Sequence, residues 1–154
     1  MRIAFSNDHA ALDTRQAILD EIKALGHEVV DYGVPEPTSV DYPDMAAPAA
    51  RDLAEGKVDR AILACGSGIG MSIVANRIPG VRCAMVTDLY GAEMSRRHND
   101  ANCLALRSRA QSPDLNREIV KAWLETPFEG GRHQGRVEKI DSVACRIAEE
   151  TRKG

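Results

Sequence analysis

The segment CGSGIG at residues 65–70 holds the residues of this chain that are best suited to chemistry. Cys65 supplies a thiol, and the glycines after it allow a tight turn that presents backbone N–H groups at a helix N-terminus. Such a turn binds an anion, either a phosphate or the oxyanion that develops during a reaction. The dipole of the following helix also favours the thiolate form of Cys65, which suits proton abstraction or nucleophilic attack. The alternative is that Cys65 is only a small residue ending a strand and that the glycines only form a turn.

Two known motifs share features with this segment and fit it less well. A dinucleotide-binding turn follows the pattern GxGxxG, but Met71 stands where the third glycine belongs, although Asp88 does imitate the acid of that motif. A phosphatase loop of the Cys-x5-Arg type needs arginine at position 71, and methionine cannot bind a phosphate. Neither motif therefore explains the segment.

Two further segments carry polar side chains able to work on a phosphorylated substrate. RRHND at 96–100 contains His98 and Asn99, and a histidine acts as an acid or a base near neutral pH. EGGRHQGR at 129–136 contains Arg132 and Arg136, whose guanidinium groups match phosphate oxygens. Each segment also has a structural explanation, namely a histidine at a helix C-terminus and two arginines at a solvated helix start.

The elements that position these residues follow from hydrophobic periodicity. Short apolar runs predict five strands, at 2–6, 27–32, 58–64, 81–86 and 101–106. Helical patterns lie between them, with expected starts at Asn7-Asp8, Asp44, Asp88 and Ser112-Pro113. This alternation predicts an α/β fold, a Rossmann-like three-layer α/β/α sandwich with a five-stranded parallel sheet.

The last helix is expected at about residues 138–150, with Val137, Ile140, Ala144 and Ile147 on one face. Residues 1–154 then form a single domain, and this helix either completes the core or docks on a partner subunit. Ligands bind beyond the carboxyl ends of parallel strands, where Asp8-His9, residues 65–70 and residues 107–109 are placed. We expect the segments 96–100 and 129–136 to converge with them at this edge of the sheet.

Composition excludes several classes of function. Aromatic residues make up only 4% of the chain and the net charge is −3, so nucleic acid is not the expected partner. No stretch approaches 18 uninterrupted apolar residues, so no membrane span is expected. The N-terminus meets Asn7 and Asp8 too early for a signal peptide. The four cysteines lack zinc-like spacing, which favours reduced thiols and a cytoplasmic protein without a metal.

Five ordered motifs resemble those of the ribose-5-phosphate isomerase B family, which is related to galactose-6-phosphate isomerase subunits. They are DH at 8–9, DYP at 41–43, CGSGIGMSIVANR at 65–77, RRHNDAN at 96–102 and EGGRHQGRV at 129–137. The resemblance implies an aldose–ketose isomerase that needs no metal or cofactor and works as a homodimer, or a dimer of dimers, with active sites shared between subunits. Ribose 5-phosphate and ribulose 5-phosphate are the expected substrates.

The resemblance leaves other substrates open. The same chemistry on allose 6-phosphate, galactose 6-phosphate or a tetrose phosphate is one alternative, and a non-catalytic sugar-phosphate-binding protein is another. Three positions depart from the family pattern, namely Ser6, Ala11 and Arg107, and they bear on the identity of the substrate more than on the reaction.

The resemblance also implies roles for individual residues. Cys65 corresponds to the base that moves a proton between C1 and C2, whereas a second branch of the family has a glutamate at the position of Met71. His98 corresponds to the residue that opens the furanose ring, and Ser67 keeps the hydroxyl of a common threonine. The remaining substrate-binding candidates are Gly66, Gly68, Ile69 and Gly70 for the enediolate, Asp8, Tyr42 and Asn99 for the sugar, and His9, Arg109, Arg132 and Arg136 for the phosphate. The segment from His98 to Arg109 is expected from the neighbouring subunit.

Overall fold

A computed structural model describes residues 1–153, apart from the side chains of Ala144 and Lys153. The strands are β1 (Arg2–Asn7), β2 (Glu28–Asp31), β3 (Arg60–Cys65), β4 (Cys83–Met85) and β5 (Cys103–Arg107). The helices are α1 (Leu12–Ala24), α2 (Tyr42–Ala54), α3 (Ile69–Ala75), α4 (Leu89–Asn99), α5 (Pro113–Glu125) and α6 (Gln134–Lys153). Short 3-10 turns at His9–Ala11 and Gly131–His133 precede α1 and α6.

The five strands form one parallel sheet in the order β2-β1-β3-β5-β4. One face packs against α1, α4 and α5 around Phe5, Ile62, Leu104 and Trp123. The other face packs against α2 and α3 and has a core of small side chains such as Ala4, Ala61 and Ala49. The predicted five-stranded α/β/α sandwich is therefore confirmed.

Several element boundaries differ from the sequence prediction. Helix α2 begins at Tyr42, after Asp41, and not after Asp44, because Pro43 has no N–H group to leave unpaired and fits the first turn. Pro48 lies inside α2 without ending it. Helix α6 begins at Gln134, directly after a 3-10 turn, and is longer than the predicted range 138–150.

The sheet order places three functional segments on neighbouring strands. β3 lies between β1 and β5, so Asp8, Cys65 and Arg107 stand side by side at the carboxyl edge. Pairing continues past the end of β5, since the Ser108 N–H donates to the Cys65 carbonyl at 2.9 Å and the Arg109 N–H to the Gly66 carbonyl at 3.0 Å. The backbone thus carries Arg109 alongside the glycine turn.

Helix α6 contacts its own chain mainly through the turn at Gly131–His133. Three of its apolar side chains, Ile140, Val143 and Ile147, remain 40–52% exposed. None of the described helices has the length and apolar character that a membrane crossing requires. The predicted docking of α6 on a partner subunit stays a prediction.

The turn after β3 depends on Gly68, which has a φ of +77°. A Cβ atom there would lie 3.0 Å from Met85 Cγ and 3.1 Å from the carbonyl carbon of Leu106. The turn thus lies directly against the backbone of β5, and this approach positions the N–H groups that follow Cys65.

Substituting Gly68→Ala is expected to lower the free energy of unfolding by about 2–3 kcal/mol, because alanine is strained in the left-handed conformation and its Cβ would clash with β5. Gly80→Ala is the matched control, since Gly80 has a φ of +82° with no heavy atom within 4 Å of the added Cβ. The control should cost only about 1 kcal/mol. Urea unfolding measures both, and equal losses would show that the approach to β5 is not tight.

Candidate active site

An open cleft of about 560 Å³ lies at the carboxyl edge of the sheet. Its lining joins three of the predicted segments with α2 and the end of β4, namely Asp8, His9, Ala10, Tyr42, Cys65, Gly66, Ser67, Ile69, Gly70, Met85, Thr87, Arg107 and Arg109. Gly68 does not line this cleft but forms the turn behind it. A single chain therefore assembles one wall of the predicted site.

Cys65 supplies a thiol to the lining of this cleft. Its side chain ends β3 and is only 5% exposed. The Gly68 N–H donates to its Sγ atom at 3.1 Å. The glycine turn therefore places a backbone hydrogen-bond donor at the sulfur, where the Cys65 side chain borders the cleft.

Ser67 supplies a hydroxyl next to the thiol. Its Oγ accepts a hydrogen bond from the Ile69 N–H at 3.3 Å, and the residue is exposed at the mouth of the turn. The hydroxyl hydrogen can therefore be given to an oxygen of a ligand.

Asp8 and His9 form the wall on the β1 side. Asp8 is 7% exposed, and its Oδ1 accepts the Ala10 N–H at 2.9 Å, which caps the 3-10 turn. His9 Nδ1 accepts the Val40 N–H at 3.2 Å. In the neutral ring the proton then resides on Nε2, which makes this atom a donor toward a phosphate or hydroxyl oxygen.

Tyr42 and Arg109 close the cleft from two sides. The Tyr42 ring packs on Gly70, where an added Cβ would lie 2.8 Å from Cε2. The Arg109 side chain crosses Gly66, where an added Cβ would lie 3.4 Å from its Cδ and Nε. Arg109 thus belongs to the same chain as the Cys65 it lies beside, which corrects the expectation that the whole His98–Arg109 segment comes from the neighbouring subunit.

Arg107 lines the cleft, as its predicted place at the end of strand five implies, although it was not named as a binding residue. Its Nε donates to Gln111 Oε1 at 2.9 Å, and its carbonyl accepts from Asn116 Nδ2 at 3.0 Å. Both amides are buried. Met85 and Thr87 were missed as well, although an edge strand next to β5 must bring its own carboxyl end to the cleft.

Four predicted residues, His98, Asn99, Arg132 and Arg136, do not line this cleft. Helix α4 starts at the carboxyl edge and runs back for roughly 16 Å, antiparallel to the strands. After it, the Asn102 carbonyl accepts the Ala61 N–H near the start of β3. His98 and Asn99 therefore lie toward the amino ends of the strands, and the expected convergence of all segments at one edge is wrong within one chain.

The residues that miss the cleft form a second group of side chains. The rings of His98 and His133 stack with centroids 4.3 Å apart and planes 9° from parallel. Glu129 Oε2 lies 3.9 Å from His98 Nε2 and 3.8 Å from His133 Nε2. Asn99 instead lines a separate cavity of about 680 Å³, together with residues of β4 and α6.

His133 is the buried member of this group, at 6% exposed. Burial lowers the pKa of His133, and the positive charges of His98, Arg132 and Arg136 lower it further against an opposing effect of Glu129. Arg132 Nε also donates to His133 Nε2 at 3.4 Å. His133 is thus held in the neutral form at neutral pH.

His98, Glu129 and His133 are residue types that bind transition metals, and one atom of each lies within 4.8 Å of the others. The surroundings disfavour a cation, however. The lone pair of His133 Nε2 already accepts from Arg132, and Arg97 Nη1 lies 4.0 Å from the Glu129 carboxylate. The expectation that no metal takes part stays a prediction.

Several known proteins resemble this chain over nearly its whole length. Ribose-5-phosphate isomerase B of Escherichia coli is 42% identical over 145 residues, which are 94% of this chain and 97% of that protein. D-erythrulose-4-phosphate isomerase of Pectobacterium atrosepticum is 43% identical over 142 residues, 91% of this chain and 93% of that protein. The structure of Clostridium thermocellum ribose-5-phosphate isomerase B is similar with a TM-score of 0.92 and 44% identity, over 96% of this chain and 99% of that one.

One known protein family matches most of this chain, including the strands that form the cleft. Residues 3–140, from β1 into α6, match the family described as ribose/galactose isomerase. This range includes the thiol at Cys65, the turn behind it and the His98 group. The chain therefore belongs to the ribose/galactose isomerase family.

Proposed function

We propose that this protein interconverts ribose 5-phosphate and ribulose 5-phosphate. The observation that carries the proposal is the Cys65 thiol, which borders an open cleft and accepts a backbone N–H at its sulfur. An aldose–ketose isomerase needs such a base beside N–H donors, because it must remove a carbon-bound proton and stabilise the resulting oxyanion. Relatives named for this reaction support the choice of substrate.

The isomerisation step uses Cys65 and the turn that follows it. The thiolate takes the proton from C2 of the open-chain aldose, a C1=C2 double bond forms, and the carbonyl electrons move to O1. Backbone N–H groups between Gly66 and Gly70 stabilise this enediolate. Ser67 passes a proton from O2 to O1, and the Cys65 thiol then returns its proton to C1 as C2=O forms. Protons and electrons balance without an external oxidant or reductant.

A preceding step opens the sugar ring, because ribose 5-phosphate exists mainly as a furanose. The bond between C1 and the ring oxygen breaks, the ring oxygen takes a proton from His98, and the C1 hydroxyl loses its proton to water. His98 lies far from the cleft of its own chain, so we assign this role to His98 of the partner subunit.

The phosphate requires positive charge and donors beyond the sugar. His9 offers its Nε2 proton and Arg109 its guanidinium from the same chain as Cys65. Arg132 and Arg136 are exposed and close to His133, so they accompany His98 into the cleft of the second copy. Asp8 and Tyr42 then contact the sugar from one chain and Asn99 from the other.

A second copy of this chain is the partner that completes the site. The exposed apolar residues of α6 and the exposed Ile69 and Ile73 of α3 offer surface for such contact. The assembly is then a homodimer or a dimer of dimers, and the reduced cysteines accord with a cytoplasmic protein. A tetrose phosphate is the second candidate substrate, because one relative carries the name of a tetrose phosphate isomerase.

Substrate preference is measured with a panel of four-, five- and six-carbon sugar phosphates. We expect kcat/KM for ribose 5-phosphate to exceed that for allose 6-phosphate and erythrose 4-phosphate by about tenfold or more, since one carbon shifts the reacting atoms away from Cys65. A higher kcat/KM for the tetrose phosphate would replace ribose 5-phosphate as the substrate. Tight binding without turnover of any member would indicate a sugar-phosphate-binding protein.

Cys65→Ala tests the base directly. The variant is expected to lose about 10³-fold in kcat and to stop exchanging the C1 proton of ribulose 5-phosphate with solvent deuterium, because no other thiol reaches the carbon. Cys83→Ala is the matched control, since Cys83 is half-buried beside β5 and does not line the cleft. Exchange at the wild-type rate in Cys65→Ala would contradict a thiol base.

Shared active sites predict rescue between two inactive variants. Cys65→Ala and His98→Ala chains, unfolded and refolded as an equal mixture, should recover about a quarter of the wild-type activity on ribose 5-phosphate. Half of the dimers formed at random are mixed, and each mixed dimer contains one intact site. Each variant refolded alone is the control. Absence of rescue, with dimers formed, would place both groups in a site built by one chain.

A further inference from the structure

The double glycine in the segment EGGRH has a structural effect that bears on His98. Gly130 and Gly131 have φ angles of +65° and +54°, a conformation that side-chain-bearing residues rarely adopt. The turn folds the chain back, and the His133 N–H donates to the Gly130 carbonyl at 3.0 Å. His133 is thereby brought flat against the ring of His98, which belongs to a different element.

Glu129 is held on the end of α4 at the same time. Its N–H donates to the Arg97 carbonyl at 3.1 Å, next to His98 in the chain. Its carboxylate lies 4.0 Å from Arg97 Nη1 and faces Nε2 of both imidazoles through a single oxygen. The residue thus has a defined place beside two rings, although it is itself exposed to solvent.

The two rings do not compete equally for this carboxylate. Arg132 donates to His133 Nε2, which therefore presents a lone pair and not a proton at that atom. Burial lowers the pKa of His133, so its ring carries one proton, and the hydrogen bond from Arg132 leaves that proton on Nδ1. The charged groups around the pair are Glu129, Arg132 and Arg136 on one segment and Arg97 with Glu93 on α4. Glu129 is left to face a proton on Nε2 of His98.

We propose that Glu129 and His133 are positioning residues for the ring-opening histidine. Glu129 lies 3.9 Å from the Nε2 edge of the His98 imidazolium, and His133 stacks on the face of that ring, so that the Nδ1 proton, the one given to the ring oxygen, meets the furanose in one orientation. This inference rests on the proposed function, because it gives His98 the ring-opening step. Neither residue takes part in the transfer of the proton between C1 and C2.

The chemistry of the two substrates separates these steps. Ribose 5-phosphate closes to a furanose through O4, whereas ribulose 5-phosphate has its O5 blocked by phosphate and remains open. Conversion of ribose 5-phosphate therefore needs ring opening. Exchange of the C1 proton of ribulose 5-phosphate with solvent deuterium needs only Cys65 and the enediolate. If Glu129 and His133 position His98, replacing them must slow the conversion of ribose 5-phosphate and leave the C1 exchange of ribulose 5-phosphate unchanged.

The experiment compares both reactions in the full-length protein and in Glu129→Gln, His133→Phe and His133→Leu. Glu129→Gln keeps the shape but removes the charge, and we expect conversion of ribose 5-phosphate to fall about tenfold or more while C1 exchange stays within about twofold. His133→Phe keeps the stacked ring and should retain more conversion than His133→Leu. Glu93→Gln is the matched control, because Glu93 also pairs with Arg97 but does not face the imidazoles.

Each result supports or overturns the proposal. Equal loss of conversion and exchange in Glu129→Gln would show a structural role and overturn it, and so would unchanged values of both. His133→Phe and His133→Leu with equal conversion would remove the stacking part of the argument. If the wild-type protein does not exchange the C1 proton of ribulose 5-phosphate, the proposed function itself is refuted. This outcome is read from the wild-type protein alone and is therefore distinct from any result with the variants.

Discussion

The parallel direction of all five strands determines where each candidate functional residue lies. All five strands are parallel, so each strand ends at one edge of the sheet and each connecting helix runs back toward the other edge. Cys65 stands at a strand end and His98 at a helix end, and this difference alone separates them by the height of the sheet. A reaction that needs both groups requires two chains.

The groups of the cleft that can attract an anion are few and local. They are backbone N–H groups and arginines, one of which is held in place by buried side chains. The chain has a net charge of −3, yet the glycine turn directs an N–H group at the Cys65 sulfur, and two arginines line the same wall. Arg107 is oriented by buried amides of Gln111 and Asn116. A few oriented dipoles and guanidinium groups thus give this wall the means to attract an anion despite the net charge of the chain.

The five-stranded parallel sheet, the alternation of strands and helices, and the cleft around Cys65 could be predicted from the sequence, because strand periodicity and glycine spacing are local signals. The sequence also placed His98 correctly at the end of a helix. The residue patterns alone predicted that the His98 segment converges with Cys65 at one sheet edge, which the direction of α4 rules out within one chain. The family resemblance, by contrast, implied that His98 comes from the neighbouring subunit. The place of Arg107 at the end of strand five was predicted, but its amide partners were not, since Gln111 lies in a loop and Asn116 in α5 and both contacts depend on tertiary packing.

The central claim is that one active site contains Cys65 of one chain and His98 of another. A crystal structure of the protein with a phosphorylated hydroxamate, which imitates the enediolate, tests it most directly. The account predicts the hydroxamate oxygens at the N–H groups after Cys65, with His98 of the partner subunit at about 3 Å from the analogue. An analogue enclosed by a single chain, with His98 of both copies remote from it, would contradict the account.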